Sequence, residues 1–321
     1  MSGDRESSTP PAREPRDART PGVRSRAAIA IVLAVLALGI GVAFSVSEYR
    51  LERRHRPVAE QSSRRFAATV DGELIERGRH LVTVVAQCTH CHGSDLGGRE
   101  LADDPWIGRL HSSNLTGGRG GVGGQLSDGE WEAALRRGVA RTGRSLVLMP
   151  SAGLAQVSDR DLEAVVAYIR QVPPVDRVAP PRRVGWLTRV LVAIGFAPDL
   201  LAAEEVARLA SRRRVEPGPS RVIDEGEYLV ALAGCRVCHR ADLAGGLHPL
   251  SLPGEPVPPD LTRRGPLARF SREDFARAMR EGRTPDGRQL DREFMPWPAY
   301  AGLGEHEIDA IWRFLEALPG T

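Results

Sequence analysis

The sequence predicts an all-α protein in which two similar halves follow a single N-terminal transmembrane helix. An uncharged run, Ala27–Ser47, is long enough to form that helix. A repeat places Met149-Pro150 in the first half and Met295-Pro296 in the second. Apolar residues recur with helical spacing at the end of each half, and no segment shows convincing strand alternation.

The N-terminal region divides into a tail and a membrane anchor. Residues 1–26 are rich in Pro, Arg, Ser and acidic residues, and we expect them to form a disordered cytoplasmic tail. At ~1.5 Å per residue, residues 27–47 extend roughly 31 Å, which is enough to cross the hydrocarbon core of a bilayer. A cleaved signal peptide is the alternative, but the run is long for one, and Ala43-Phe44-Ser45 is a poor cleavage site.

Composition narrows the classes of function. A net charge of +3 is too small to indicate a nucleic-acid partner. Aromatic residues make up only 5% of the chain, which is little for two domains that must each build an apolar core. A large apolar group bound in each half would supply the missing bulk.

Two short motifs carry the chemistry and use all four cysteines of the chain. Cys88-Thr89-His90-Cys91-His92 recurs as Cys235-Arg236-Val237-Cys238-His239. C-x-x-C-H is the attachment sequence of c-type haem, in which both thiols form thioethers with the vinyl groups and the histidine ligates the iron. A redox dithiol and a zinc site built from four cysteines are the alternatives. Neither would explain the two histidines or the repeat, so we predict two covalent haems.

The repeat extends on both sides of these motifs. Each half reads as a helix, the C-x-x-C-H motif, a long loop, a helix, the Met-Pro turn and a closing helix. Ser127, Ser158 and Ser271 are predicted helix caps, since an acidic residue follows each of them three positions later. The closing helices are indicated by Leu162, Val165, Val166 and Ile169 in the first half and by Ile308, Ile311, Trp312 and Leu315 in the second.

Prolines and composition set the predicted domain boundaries. We assign residues 66–178 to a first haem domain, 179–219 to an interdomain linker and 220–321 to a second haem domain. Within the linker, residues 186–197 are largely apolar but too short to span a membrane. We expect this segment to pack between the domains, with an interfacial membrane contact as the alternative.

The sixth ligand of each iron decides the function of such a protein. Met149 and Met295 lie 57 and 56 residues after His92 and His239, and each precedes a proline. This matched spacing favours ligation over core packing, and the proline stiffens the turn that holds the sulfur. The other two methionines, Met1 and Met279, occupy no repeated position. His111 and His248 are not matched between the halves either, and we interpret them as surface or propionate-side residues.

The stretch from Asn114-Leu115-Thr116 through Met149-Pro150 to Pro173-Pro174-Val175 resembles the class I cytochrome c family in its diheme, membrane-anchored form. It is similar to the cytochrome c subunits of periplasmic alcohol and gluconate dehydrogenases, and the diheme subunit of cbb3-type oxidases is a second relative of this kind. The resemblance implies two haem c groups and redox partners that are dehydrogenase or oxidase subunits. It also implies a crossing of the first and last helices of each half, with Gly78 against Tyr168 and Gly226 against Phe314.

Three functions are consistent with these features. The first is a single-electron carrier between a membrane or periplasmic donor, such as a dehydrogenase or quinol-oxidising complex, and an acceptor such as a terminal oxidase. The second is a haem enzyme, a diheme peroxidase or thiosulfate-oxidising cytochrome, which would need an open iron position and acid–base groups beside it. The third is a structural subunit. Matched methionines favour the carrier, with no catalytic residue. Because bacteria attach haem c outside the cytoplasmic membrane, we expect both haem domains in the periplasm.

Overall fold

The computed structural model describes residues 23–55, 66, 71–196, 198–213, 224–247, 251 and 254–319. Residues 1–22 of the predicted tail lie outside the described residues. Val23–Arg26, the last residues of the predicted tail, are helical, which corrects that part of the prediction. The helices are α1 Val23–Glu52, α2 Gly72–His80, α3 Cys88–His92, α4 Asp128–Arg137, α5 Ser151–Leu154, α6 Asp159–Gln171, α7 Trp186–Ile194, α8 Ala202–Arg213, α9 Glu225–Leu232, α10 Cys235–Cys238, α11 Arg272–Glu281, α12 Trp297–Tyr300 and α13 Glu305–Ala317.

The chain divides into two compact units, residues 1–42 and residues 43–321. The described part of the first unit is the beginning of α1, whose large apolar side chains are exposed. Helix α1 is long and apolar enough over Arg26–Glu52 to cross a membrane, a test that a signal sequence also passes. Both C-x-x-C-H motifs lie in the second unit, so the predicted boundaries at 66–178, 179–219 and 220–321 stay predictions.

In the first half, α2 and α6 cross in close contact, as the resemblance implied. A Cβ atom on Gly78 would lie 1.9 Å from the carbonyl oxygen of Ala164 and 2.8 Å from Cβ of Tyr168, so only glycine permits this approach. The side chain of Ser158 accepts a hydrogen bond from the amide of Asp161 and caps α6, as predicted. Helix α6 then buries the predicted apolar face, namely Leu162, Val165, Val166 and Ile169.

The second half repeats this crossing with α9 and α13. A Cβ atom on Gly226 would lie 2.0 Å from the carbonyl oxygen of Ala310 and 2.6 Å from Cβ of Phe314. Ile308, Ile311 and Leu315 are buried along α13. The helices before the Met-Pro turns, α4 and α11, begin with the predicted capping boxes at Ser127 and Ser271. Local sequence signals therefore place the same helices in both halves.

A small sheet corrects the all-α prediction. Strands β1 Glu100–Asp104 and β2 Gly108–His111 form an antiparallel hairpin in the loop after the first C-x-x-C-H motif, and β3 Arg183–Val184 pairs with β2. The alternation of apolar and polar residues is weak in this sequence, because the strands are short and β1 contains an irregularity in register. The pairing depends on β3, a segment about 75 residues away in the chain, and a local pattern carries no information about such a contact.

The linker segment packs differently from our expectation. Helix α7 and the segment around Leu200 form a small apolar core with Leu51 at the end of α1. Further contacts of α7 run to the β1–β2 hairpin, where the Thr188 hydroxyl donates to the carbonyl of Ile107. The prediction that this segment fills the space between the two halves is therefore wrong. It joins the end of α1 to the first half.

The two halves meet directly through matched polar pairs. His80 Nε2 lies 2.9 Å from both carboxylate oxygens of Glu307. In the equivalent pair, Tyr228 of the second half takes the place of His80, and Asp161 of the first half takes the place of Glu307. The Tyr228 hydroxyl donates to Asp161 at 2.7 Å. Arg77 binds the same Asp161 carboxylate with two hydrogen bonds of 2.9 and 3.0 Å. The interface is thus built by equivalent positions of the repeat, related by an approximate two-fold exchange.

Candidate haem attachment sites

Both C-x-x-C-H motifs occupy short helices that follow a left-handed residue. Gln87, with φ of 48°, precedes α3, and Gly234, with φ of 68°, precedes α10. This conformation turns the chain sharply out of the preceding helix. The first cysteine of each motif, Cys88 or Cys235, packs against the apolar core, while Cys238 is exposed. In the second motif, one cysteine therefore faces the core and the other is exposed, whereas both cysteines of the first motif are half-buried.

The two motif histidines have the same hydrogen bond. Nδ1 of His92 donates to the carbonyl oxygen of Ser113, and Nδ1 of His239 donates to that of Pro259, both at 2.8 Å. A carbonyl accepts only, so Nδ1 carries the proton and Nε2 keeps its lone pair. Burial lowers the pKa of both imidazoles, although the hydrogen bond to the carbonyl acts in the opposite direction. The neutral form of each imidazole is therefore favoured. Both residues are prepared to ligate a metal through Nε2.

The two candidate methionines stand at equivalent turns. Met149 and Met295 are both half-buried and pack against the apolar core. Each is followed by a proline that caps a four-residue helix, Pro150 before α5 and Pro296 before α12. The carbonyl of Met149 accepts a hydrogen bond from the amide of Ser151 at 2.8 Å, and that of Met295 accepts from Trp297 at 2.6 Å. The predicted Met-Pro turns therefore have one conformation in the two halves.

The state of the cysteines argues against the alternative chemistries. Burial raises the pKa of Cys88 to about 12 and that of Cys235 to about 11. A redox dithiol reacts as a thiolate, and this burial disfavours the thiolate form. Among the described residues, no three His, Cys, Asp or Glu side chains converge as a metal-ion site, although all four cysteines are described.

Two buried donors in the first half fit the acidic edge of a haem. Nε1 of Trp131 and the Nε and Nη2 atoms of Arg137 are buried without a hydrogen-bond partner. Burying a donor without a hydrogen-bond partner destabilises the fold unless a ligand accepts the hydrogen bond. A haem brings an apolar ring and two propionate carboxylates, which are acceptors for these donors. Sequence reasoning missed both residues. The repeat gave no signal for them, because the second half has Phe275 and Glu281 at the equivalent positions of α11.

The other histidines have separate surroundings. His80 and His306 face carboxylates, Glu307 in the first case and Glu225 at 2.8 Å in the second. His111 lies in β2 with its Nε2 atom 3.8 Å from Glu100. His248 lies outside the described residues. His80 and His306 therefore each have a carboxylate partner of their own.

The helix crossing, the attachment motif and its oriented histidine define a c-type cytochrome domain. Residues 73–169 match the family model described as cytochrome C oxidase, cbb3-type, subunit III. This range contains Cys88, Cys91, His92 and Met149. The chain is homologous to the cytochrome c subunits of quinone alcohol, gluconate and fructose dehydrogenases, as the resemblance implied.

Three relatives illustrate this homology. The cytochrome c subunit of gluconate 2-dehydrogenase from Pantoea cypripedii is 30% identical over 79% of this chain and 62% of its own length. That of alcohol dehydrogenase (quinone) from Gluconacetobacter polyoxogenes is 25% identical over 78% of this chain and 57% of its own. The cytochrome subunit of fructose dehydrogenase from Gluconobacter japonicus is 27% identical over 57% of this chain and 38% of its own. The chain thus spans less than two thirds of each of these relatives.

Proposed function

We propose that this protein is a membrane-anchored diheme cytochrome c that transfers single electrons from a dehydrogenase to a downstream acceptor. The observation that carries the proposal is the matched pair of ligand sets. Each half combines a C-x-x-C-H motif, a histidine with a free Nε2 and a half-buried methionine in an equivalent turn. Two such sets favour two irons that are closed to substrates, which is the requirement of a carrier rather than of an enzyme.

The residues of each set have defined roles. Cys88 and Cys91 in the first half, and Cys235 and Cys238 in the second, would hold the haem by thioethers. His92 and His239 would bind iron through Nε2, since the carbonyls that they bind through Nδ1 fix their orientation. Met149 and Met295 would each offer the iron a neutral thioether, which would favour the reduced state. When bound, haem c supplies the one-electron couple, and the protein sets its potential and excludes water.

The contact between the halves favours electron exchange between the two sites. The Tyr300 hydroxyl donates to the carbonyl of Ala233 at 2.7 Å, two residues before Cys235. Burial first, and then the nearby Cys235 and Cys238, raise the pKa of Tyr300 well above its ordinary value, so the hydroxyl stays protonated. The side chain of Gln87, the residue before the first motif, also lies at this tyrosine. The residue before the first motif therefore lies close to a tyrosine that binds the backbone just before the second motif.

The location and partners follow from the same features. Helix α1 supplies a single-pass anchor in the bacterial cytoplasmic membrane, with residues 27–47 in the bilayer and the haem domains in the periplasm. The relatives are named as subunits of dehydrogenases for gluconate, alcohol and fructose. We propose a dehydrogenase of this kind as the donor and a terminal oxidase as the downstream acceptor.

The proposal is tested on the full chain, matured in a host that attaches haem c. We expect two haems per chain by haemochrome assay, a reversible two-step redox titration and a methionine–iron absorption band in the oxidised protein. Met149→Ala and Met295→Ala should each remove about half of that band, lower one potential and open one iron to carbon monoxide. Met279→Leu is the matched control, because Met279 is a buried methionine inside α11 and stands in no Met-Pro turn.

Two results would contradict the proposal. A band that persists in both methionine variants would show that other groups ligate the irons. Peroxide turnover well above that of free haem would favour the enzyme instead. Glu293, the acidic residue nearest a proposed ligand, is exposed, and its amide donates to Asp291 at 2.9 Å. Glu293→Gln separates the two functions, because it should leave a carrier unchanged and impair an enzyme that uses this carboxylate.

A further inference from the structure

Four exposed apolar side chains form one surface where the linker meets the hairpin of the first half. Trp106 and Ile107 occupy the turn between β1 and β2, and Trp186 and Leu187 begin α7. The two indole rings are 5.4 Å apart, edge to face, and each tryptophan is 56% exposed. We call these four residues the tryptophan patch. Exposing two indoles together is costly in water, so such a patch marks an interaction surface.

The backbone beneath the tryptophan patch is held firmly. The amide of Leu187 donates to the carbonyl of Trp106 at 3.1 Å. Gly108 and Gly185 allow the two segments to approach closely. A Cβ atom on Gly108 would lie 2.1 Å from the carbonyl oxygen of Arg183, and one on Gly185 would lie 2.2 Å from that of Trp106. The patch is therefore a fixed part of the fold, presented by two segments locked together.

Contacts between α7 and the end of α1 give the height of the patch along the anchor helix. Arg189 binds Glu48 at 2.6 Å, and its guanidinium lies 4.4 Å from the ring centre of Phe44. Three residues later in α7, the carbonyl of Val192 accepts a hydrogen bond from Arg50. The contacts advance in the same direction along both helices, so α7 runs parallel to the last turns of α1.

This parallel arrangement places Trp186 beside the end of the apolar run. Arg189 pairs with Glu48, and the two helices run in the same direction. Three residues earlier in each helix, Trp186 therefore lies at the level of Ser45. Ser45 belongs to the last turn of the uncharged segment 27–47. In membrane proteins, tryptophan is enriched at this level, where the indole ring meets the lipid headgroups.

We propose that the tryptophan patch inserts into the headgroup–acyl boundary of the membrane that α1 spans. This inference rests on the proposed membrane anchor and goes beyond it. The anchor alone would leave the haem halves tethered by one helix. The patch adds a second contact with the lipid surface, and this contact sets the height and tilt of the first haem site above the membrane. A membrane-bound donor would then meet this site in one orientation.

The same helix provides a matched control surface. Ile194 and Phe196 are also exposed apolar residues, at 65% and 47%. Ile194 lies eight residues after Trp186, which is roughly 12 Å farther from the apolar run at ~1.5 Å per residue. These two side chains should therefore stand clear of the bilayer. They share the composition of the tryptophan patch and differ in height.

Site-specific photocrosslinking tests the inference in the full, haem-loaded chain. The photoreactive residue p-benzoylphenylalanine replaces Trp106, Trp186, Ile194, Phe196 or Leu38, one at a time. Each protein is placed in nanodiscs of phosphatidylethanolamine and phosphatidylglycerol, irradiated and analysed by mass spectrometry. An unchanged haem spectrum shows that each variant is folded. We expect phospholipid adducts at positions 38, 106 and 186, at a yield at least tenfold higher than at 194 and 196.

The remaining outcomes separate the inference from the proposed anchor. Lipid adducts at 38 without adducts at 106 and 186 overturn the inference and leave the anchor standing. Equal adduct yields at 186 and 194 also overturn it, because the height would then have no effect. In native membranes, adducts of 106 and 186 with a protein instead of lipid identify the patch as a protein contact and overturn it. An absence of lipid adducts at 38 refutes the anchor itself.

Discussion

The segments that lead into Met149 and Met295 are equivalent in the repeat but differ in what covers them. The linker lies on the first segment, where the amide of Leu148 donates to the carbonyl of Leu200 at 3.1 Å and the amide of Ala202 donates to that of Leu146 at 2.9 Å. The second segment has no such cover among the described residues, and residues 291–294 are all exposed. The amide of Met295 donates locally, to Asp291 at 2.9 Å.

The charges near the two sites differ as well. Helix α4 contributes buried Trp131 and half-buried Arg137, and burial lowers the pKa of this arginine. Helix α11 has Phe275 and exposed Glu281 at the same positions. The two halves therefore share the same proposed ligands but differ in the residues around them. If both halves bind haem as proposed, the two sites should differ in accessibility and potential.

The largest expected effect concerns the accessibility of the two methionine turns. Because the turn at Met295 lacks the cover that the linker gives to Met149, it should open more easily. We expect imidazole to displace Met295 at least about tenfold faster than Met149, a difference of ~1.4 kcal/mol in the free energy of opening. Stopped-flow loss of the methionine–iron band measures both rates, and the single methionine variants assign them.

A matched glycine pair tests whether the linker is the cause. Gly138 and Gly282 end α4 and α11 with φ of 65° and 67°. A Cβ atom on Gly138 would lie 2.5 Å from Cβ of Ala202 in the linker, whereas one on Gly282 would meet the ring of Trp297. Gly138→Ala should therefore accelerate displacement of Met149 and reduce the difference. Equal rates in the unmodified protein, or no change in Gly138→Ala, would break the comparison.

A smaller effect is expected on the potentials. Arg137→Gln removes a positive charge beside the first site, which should stabilise the oxidised state and lower that potential by several tens of millivolts. This corresponds to roughly 1–2 kcal/mol for charges about 8–16 Å apart at an effective dielectric constant of about 20. Glu281→Gln is the control, since Glu281 is exposed and screened. A spectroelectrochemical titration measures both. An equal shift in the two variants would show that the sites do not differ in this way.

The smallest effect concerns the interface between the halves. Burial opposes ionisation of Glu307, but hydrogen bonds from His80 and Gly304 outweigh it, so the pKa of Glu307 lies below its ordinary value of 4.5. A lowered pKa adds stability above the unfolded pKa, and this stability is lost as the pH falls through the folded pKa. We expect stability to fall below about pH 4.5, and Glu307→Gln to flatten that fall.

The equivalent pair of Tyr228 and Asp161 provides a comparison for the prediction on Glu307. Tyr228→Phe removes the hydrogen bond to Asp161, and burial, as the main cause, raises the pKa of Tyr228 to about 12. Its loss, about 1.5–3 kcal/mol for a hydrogen bond to a carboxylate, should therefore be the same at pH 6 and pH 8. Urea unfolding at pH 4, 6 and 8 compares the two variants. A pH-dependent loss in Tyr228→Phe would show that the two pairs are not independent.

Much of the helical framework was predictable because its signals are local. The capping serines, Ser127, Ser158 and Ser271, lie within one turn of the groups they bind. Gly78 and Gly226 were expected at the helix crossings, and the structure confirms both. The packing of the linker and the hairpin were missed, because each depends on a partner far away in the chain. The buried donors were missed because the repeat does not mark them.

By itself, the sequence determined the family, the helix order and the apolar run of α1, since short spacings, caps and hydrophobic periodicity specify them. The ligand set of Cys88, Cys91, His92 and Met149, and that of Cys235, Cys238, His239 and Met295, stay predictions from its repeat. Only the tertiary structure decided which Met-Pro turn the linker covers, how the halves pair and where the tryptophan patch lies. These depend on contacts between distant segments, whose closure no local pattern records.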